Sequence, residues 1–444
     1  MGQALITDFY ELAMAGIYLR RGMTGTATFS LYVRELPPNR GFVVAAGLED
    51  CLDYLERFRF VPEDLAWLSA HGFTPDVVEA MAGIRFTGEV HAVPEGRIVL
   101  AGEPVLEVTA PLPEAQLVES FLLNRITVHT VLATKAARCR LAAGEIDLID
   151  FSLRRTHGTD AGLAVARDSA IAGFSGTSNV EAARVLGLRA AGTMAHSFIQ
   201  SFPSEADAFR AFVSGMPGPY TFLVDTYDTV TGVRVAAEVI HELGLEEGIA
   251  VRIDSGDLAS LATAARDVLD GAGLPHVRIF VSGGLDEYGL EDLRKAGAPV
   301  DAAGVGTKVG VSADAPYLDT VYKLVQLGSE PIAKLSEGKE SLPGPKQVWR
   351  REGAADLLAR REEPGPSGAE PLLQAVLRDG RRTAPPTSIA AARARLAADL
   401  AWIPMEARRI RQPHAPAALV SDELQALGRR TVASARARAN GDSR

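Results

Sequence analysis

Residues 220–282, YTFLVDTYDTVTGVRVAAEVIHELGLEEGIAVRIDSGDLASLATAARDVLDGAGLPHVRIFVS, carry the pattern that decides the fold class. Three short runs rich in Val, Ile and Phe, namely YTFLVD (220–225), IAVRID (249–254) and VRIFVS (277–282), are separated by DTVTGVRVAAEVIHELG (228–244) and SGDLASLATAARDVLDGAG (255–273). The separating segments place apolar residues at helical spacing and end in Gly. Near-continuous apolar strands alternating with such helices predict a parallel sheet with helices outside it.

The rhythm extends outward to LIDFS (148–152), AAGTMA (190–195), VDAAGVG (300–306) and VYKLVQL (321–327). Seven strands, nearly a set of eight, predict an α/β fold with an irregular, TIM-like barrel over residues 131–335. Residues 1–130 differ. The stretches 25–35, 88–96 and 97–111 alternate at period two as antiparallel strands do, and 112–143 reads as helix. These features predict a separate N-terminal α/β domain. After 335 the chain carries Pro and Gly and then Arg/Ala-rich helical pieces at 388–400 and 421–438. The segment 336–444 is expected to pack back on the N-terminal domain.

A barrel puts its chemistry at the C-terminal ends of the strands. Arg154, Arg155, Thr156 and His157 follow the 148–152 run, and His196 follows 190–195. Thr226 and Asp228 follow 220–225, and Arg252, Asp254, Ser255 and Asp257 close 249–254. Gly283-Gly284 follow 277–282, and Gly306-Thr307-Lys308 end the 300–306 run. GVGTKVG (304–310) is the clearest phosphate-loop candidate, because glycines let backbone N–H groups approach an anion and a lysine follows. It fits neither the Walker A spacing nor the dinucleotide fingerprint. In VRIDSGD, Arg252 and Asp254 share one face of a strand end, suited either to a carboxylate and a ribose hydroxyl or to a mutual ion pair, with Ser255 capping the next helix. Ser178-Asn179-Val180-Glu181 has the form of a capping box, and Tyr10 and Phe151 are equally readable as core aromatics. No G-x-S-x-G elbow is present, and no H-x₃-H or C-x₂-C pair, so a serine hydrolase or a protein-ligated zinc is not expected.

Composition narrows the function classes. The 444 residues are 47% hydrophobic and 23% charged, which excludes disorder along most of the chain. The net charge of −10 excludes a general affinity for nucleic acid or acidic membrane. Apolar stretches are too short to span a bilayer. Two cysteines, no signal-peptide layout and Ile at position 6 after Gly2 point to a cytoplasmic protein without a myristoyl anchor. Of the 46 basic residues only seven are lysines, and five of those lie between 308 and 346. The window 321–351 has six cations (Lys323, Lys334, Lys339, Lys346, Arg350, Arg351) against three acids, which marks either a solvated face or a site for a strongly anionic ligand.

Six motifs in order, TDFYELAM (7–14), FSLRRTHG (151–158), FSGTSNV (174–180), GTMAHSF (192–198), VRIDSGD (251–257) and KLSEGKESLPGPKQVWR (334–350), resemble the nicotinate phosphoribosyltransferase family. The resemblance implies a type II phosphoribosyltransferase fold, in which N- and C-terminal segments together build the second α/β domain, and a homodimer. It implies coupling of nicotinate to 5-phosphoribosyl-1-diphosphate with ATP hydrolysis, giving nicotinate mononucleotide and diphosphate in NAD salvage, with Mg²⁺ as cofactor. By motif, Tyr10 from the partner copy and Phe151 would sandwich the pyridine ring. Arg154 and Arg252 would face substrate anions, with Arg252 near the nicotinate carboxylate. Thr177, Ser178 and Ser255 would complete the substrate site. His196 would be the phosphohistidine, and Asp254 would meet ribose hydroxyls or the magnesium shell. Gly283, Gly284, Gly304, Gly306 and Thr307 would bind the 5-phosphate, and Lys334 and Lys339 the diphosphate. In the related nicotinamide enzymes an Asp matches Ser178, so a neutral Ser here favours the acid over the amide. Quinolinate or nicotinamide phosphoribosyltransferase, and a catalytically inactive barrel sensing phosphometabolites, are the competing readings.

Overall fold

A computed structural model describes residues 3–335 and 341–439, with side chains through 438. The chain forms two compact units. One comprises residues 132–316 with 410–412, and the other the remaining N- and C-terminal segments.

The first unit is built on a six-stranded sheet in the order Gly176–Thr177, Asp147–Asp150, Ala302–Val305, Arg278–Val281, Ile249–Ile253, Tyr220–Leu223. Every neighbouring pair is parallel. It is an open half-barrel. Helices Thr229–Glu242 and Leu258–Gly271 cross between strands where the sequence places them. Each starts on a carboxylate cap, Asp228 accepting from Thr231 N and Asp257 from Ser260 N. Gly244 and Gly273 follow them with φ of 61° and 75°, the left-handed turn that ends a helix without a Cβ penalty. Side chains alternate along a strand, so Ile149, Ala250, Phe280 and Ala302 share the concave face and pack with Phe151.

Two expected strands are placed differently. AAGTMA (190–195) makes a single parallel bridge, Thr177 to Ala190, and then leaves the sheet. It peels away because Thr193 Oγ1 and the Met194 carbonyl oxygen accept from the Arg252 guanidinium instead of from a neighbouring strand. The short strand Gly176–Thr177 takes the edge position. VYKLVQL (321–327) belongs to the other unit, where Thr320–Leu327 pairs antiparallel with Thr26–Val33. Its apolar run packs there, with Tyr322 stacked on Phe29 at 4.8 Å. A strand covered on both faces looks the same in either kind of sheet.

The second unit carries a seven-stranded antiparallel sheet: Glu330–Pro331, Thr320–Leu327, Thr26–Val33, Pro104–Pro111, Glu89–Ala92, Gln374–Arg378, Arg381–Arg382. Gln374–Arg378 pairs with Glu89–Ala92, so a C-terminal segment completes an N-terminal sheet. Two cations of the cation-rich window are absorbed here. Lys346 is buried 3.1 Å from Glu107, and Arg350 is buried 2.6 Å from Asp356 and 2.7 Å from Asp399. These two cations are therefore structural ion pairs and correct the reading of the window as one anion-binding patch. Lys334 is exposed, and Lys339 lies outside the described residues. Among the described residues no helix is long and apolar enough to cross a membrane.

Candidate active site

The ends of the parallel strands converge on a pocket of about 380 Å³, lined by Phe151, Arg154, Ser178, Thr193, His196, Arg252 and Asp254 among others. Phe151 extends the face of Ile149 beyond the strand end, its ring 5.6 Å from that of Phe280 and the Arg252 guanidinium 5.6 Å above it. A wider apolar cavity of about 600 Å³ shares Phe151, Ser178 and Thr193 and runs along the concave face past Ala250, Phe280 and Ala302.

Arg252 is held on every side. Its Nε donates to Ser282 Oγ at 2.8 Å, Nη1 to Thr193 Oγ1 at 2.7 Å and the Met194 carbonyl oxygen at 3.3 Å, and Nη2 to Asp254 Oδ1 at 2.7 Å. Four of its five N–H groups are engaged, leaving one for a ligand. Burial works against the Asp254 charge, but the Ser282 hydroxyl and the Arg252 guanidinium outweigh it and hold this carboxyl below the usual range. His196 opens the helix His196–Gln200. Its Nδ1 lies 3.2 Å from Thr226 Oγ1 and its Nε2 3.9 Å from Asp254 Oδ2.

The glycines divide by role. A Cβ on Gly304 would lie 2.6 Å from the Phe151 ring, and one on Gly283 (φ 98°) 2.0 Å from the Asp254 carbonyl oxygen. These two make room for protein atoms. Gly284, with φ 69°, has open space before it. Gly306 precedes the short helix Thr307–Gly310, and Thr307 is exposed. Lys308 donates to Asp286 Oδ2 at 2.9 Å, and Asp286 caps the helix Glu287–Lys295.

Ser178 is not the helix cap that the capping-box pattern suggested. Asn179 is, its Oδ1 accepting from Ala182 N at 3.1 Å, and this leaves the half-buried Ser178 hydroxyl facing the pocket. Ser255 does not cap either: Asp257 does, and Ser255 Oγ donates to Asp225 Oδ2 at 2.9 Å. Thr177 is fully buried and donates to Asp150 Oδ2 at 2.7 Å, away from the pocket lining. Tyr10 and Lys334 belong to the other unit. Sequence reasoning passed over Asp225, whose Oδ2 also accepts from Asp254 N at 2.8 Å, and over Thr193, Ser282 and Asp150. The polar residues around the end of YTFLVD were the available signal for Asp225. Thr193, Ser282 and Asp150 carried none, because their partners lie on other strands.

Models of the nicotinate phosphoribosyltransferase N-terminal domain and of the nicotinate phosphoribosyltransferase family match residues 5–127 and 146–341. The chain is 47% identical to the Mycobacterium tuberculosis nicotinate phosphoribosyltransferase pncB2, over 85% of this chain and 82% of that one. It is 33% identical to the human nicotinate phosphoribosyltransferase, over 95% of each. The crystal structure of human nicotinic acid phosphoribosyltransferase superposes with a TM-score of 0.84 at 31% identity, covering 96% of this chain and 99% of that one. A nicotinate-nucleotide pyrophosphorylase structure from Pyrococcus furiosus gives 0.76 at 27% identity, over 90% and 95% of the two chains. With the half-barrel, the pocket at its strand ends and these relatives together, the chain belongs to the nicotinate phosphoribosyltransferase family and is an enzyme of that type.

Proposed function

We propose that this pocket joins nicotinate to 5-phosphoribosyl-1-diphosphate, releasing nicotinate mononucleotide and diphosphate. One observation carries the reading: a flat aromatic, Phe151, a neutral hydroxyl, Ser178, and the set Arg154, His196, Arg252 and Asp254 line the same pocket. The pyridine ring lies on Phe151, with Tyr10 of a partner copy on its other face. Its carboxylate accepts from Ser178 and from the remaining Arg252 N–H. The pyridine nitrogen lone pair forms the bond to ribose C1 as the C1–oxygen bond breaks and diphosphate leaves with that electron pair. The protein's work is orientation and charge stabilisation. Asp254 meets ribose hydroxyls. Gly284 and the exposed Thr307 offer the open backbone for the 5-phosphate, while Gly283, Gly304 and Gly306, which face protein atoms, act indirectly. Arg154, exposed at the mouth, serves the diphosphate.

His196 is the acceptor of the γ-phosphoryl group of ATP, the N–P bond forming as the bond from the γ-phosphorus to the bridging oxygen breaks and ADP leaves with that electron pair. Its Nδ1 faces Thr226, which leaves Nε2 beside Asp254 as the receiving atom. Magnesium stabilises the charge on the diphosphate when bound. Among the described residues no three His, Cys, Asp or Glu side chains form a cage, and Asp254 Oδ2, whose neighbour is His196 Nε2 at 3.9 Å, would suit an ion that arrives on its substrate. The two cysteines are buried free thiols, in keeping with a reducing cytoplasm.

The test is product formation by mass spectrometry with Mg²⁺, phosphoribosyl diphosphate and, separately, nicotinate, nicotinamide or quinolinate, each with and without ATP. Nicotinate mononucleotide from nicotinate, increased by ATP, is expected. Product from another base alone overturns the specificity, and absence of product from all three overturns the reaction.

A further inference from the structure

Asp150 ends the strand Asp147–Asp150, is 1% exposed, and has no cation within ion-pair distance among the described residues. A buried carboxylate without a counter-charge is costly, and burial pushes its pKa up. It is held by hydrogen bonds alone. Oδ1 accepts from Ser152 N at 2.9 Å and Oδ2 from Thr177 Oγ1 at 2.7 Å. The Thr177 oxygen in turn accepts from Asn179 N at 3.0 Å, and the Asp150 carbonyl oxygen accepts from Ser178 N at 2.8 Å.

The order of these partners along the chain is informative. Asp150 and Ser152 bracket Phe151, and Thr177 and Asn179 bracket Ser178. One carboxylate therefore ties the loop that carries the pocket aromatic to the loop that carries the pocket hydroxyl. The two bonds to this carboxyl, at 2.9 and 2.7 Å, have ordinary hydrogen-bond lengths. We propose that Asp150, with Thr177 as its hydroxyl partner, is a positioning residue that sets the gap between Phe151 and Ser178, and so nicotinate recognition, without touching the substrate. Thr177 changes role on this view, from substrate contact to support.

The inference rests on the pocket reading above, and the experiment separates the two. Steady-state constants for both substrates, with melting temperatures, are measured for Phe151→Ala, Asp150→Asn, Thr177→Val and Thr177→Ser. Phe151→Ala raises the nicotinate KM if the pocket reading holds, and an unchanged value overturns that reading itself. Asp150→Asn and Thr177→Val are each expected to raise the nicotinate KM about tenfold, the scale of one buried hydrogen bond, with kcat and the diphosphoribosyl KM nearly unchanged. Thr177→Ser keeps the hydroxyl and stays near wild type. The double variant is no worse than the poorer single one, because both cut the same link. If Phe151→Ala responds while Thr177→Val leaves the nicotinate KM alone, or moves both KM values equally, the positioning role is wrong. Thr177→Val decides the matter even where Asp150→Asn fails to fold.

Discussion

Ser178 lies between two accounts, and its environment chooses one. Asn179 caps the helix Val180–Leu186, so the Ser178 hydroxyl has no capping duty. Ser178→Asp therefore leaves the melting temperature nearly unchanged while a second anion repels the nicotinate carboxylate. A fall of about tenfold or more in nicotinate kcat/KM is expected, and an unaltered kcat/KM would show that the carboxylate is elsewhere. Asn179→Ala is the complementary change, with a loss of about 1 kcal/mol from the missing cap, read by denaturant unfolding. Arg252 makes the same point from the other side. Four donors committed to Ser282, Thr193, Met194 and Asp254 make it a hub that shapes the pocket as well as a charge within it.

Among the elements, helix Phe9–Arg20 holds a buried acid with a raised pKa. Glu11 is buried on it, accepting from Ser120 N at 3.1 Å, from Ser120 Oγ at 2.6 Å and from Thr7 Oγ1. Burial raises its pKa, and the Glu119 and Asp8 charges add to the rise. Together they prevail over the Ser120 and Thr7 hydrogen bonds, taking it to about 7 from an ordinary 4.5. A raised folded-state pKa means that the stabilising contribution is complete below 4.5 and is lost as pH climbs through about 7. Thermal melts from about pH 5 to pH 8 should show this loss in wild type and a shallower slope in Glu11→Gln. Equal slopes would mean that Glu11 does not titrate in this range. A second element, helix Glu287–Lys295, is anchored at its start. Glu287, fully buried, pairs with Lys135 and, at 3.2 Å, with Arg138, and Asp314 joins the same cluster. Glu287→Gln leaves these cations under-compensated, for an expected loss of about 3–5 kcal/mol in urea unfolding. A loss below about 1 kcal/mol would mean that water or Asp314 takes over the compensation.

For the whole molecule, the face that Phe9–Arg20 and the residues before it leave uncovered is apolar. Ile6 is 52% exposed, Phe9 59% and Ile17 58%. Tyr10 lies among them. A second copy of the chain is the proposed cover, with Tyr10 completing the partner's pocket. Co-expressed Tyr10→Ala and Arg252→Ala chains are the check. Each is inactive alone, and mixed dimers recover activity because one of their two sites keeps both residues. Absence of recovery in mixed dimers isolated by two tags would place Tyr10 in its own chain's site.

How much of this was legible in the residues alone depends on the range of the interaction. Strand–helix alternation, helix ends at Gly244 and Gly273, and the clustering of Arg, His and Asp after strands are local properties, because periodicity and turn chemistry act over a few residues. The six ordered motifs identified the family for the same reason. Which runs pair was not local. AAGTMA left the sheet because Arg252, 59 residues beyond Thr193, captures its polar atoms. VYKLVQL joined the antiparallel sheet because Thr26–Val33 lies beside it. The lysines showed as a cluster in the chain, yet Lys346 turned out to be the buried partner of Glu107. The amino-acid order alone carried the α/β class, the family and half of the residues that line the pocket. The folded chain alone shows that Thr177 is buried and donates to Asp150, that Gly304 makes room for a ring and that Asp150 joins two loops, since side-chain hydrogen bonds between distant strands leave no periodic trace in the chain.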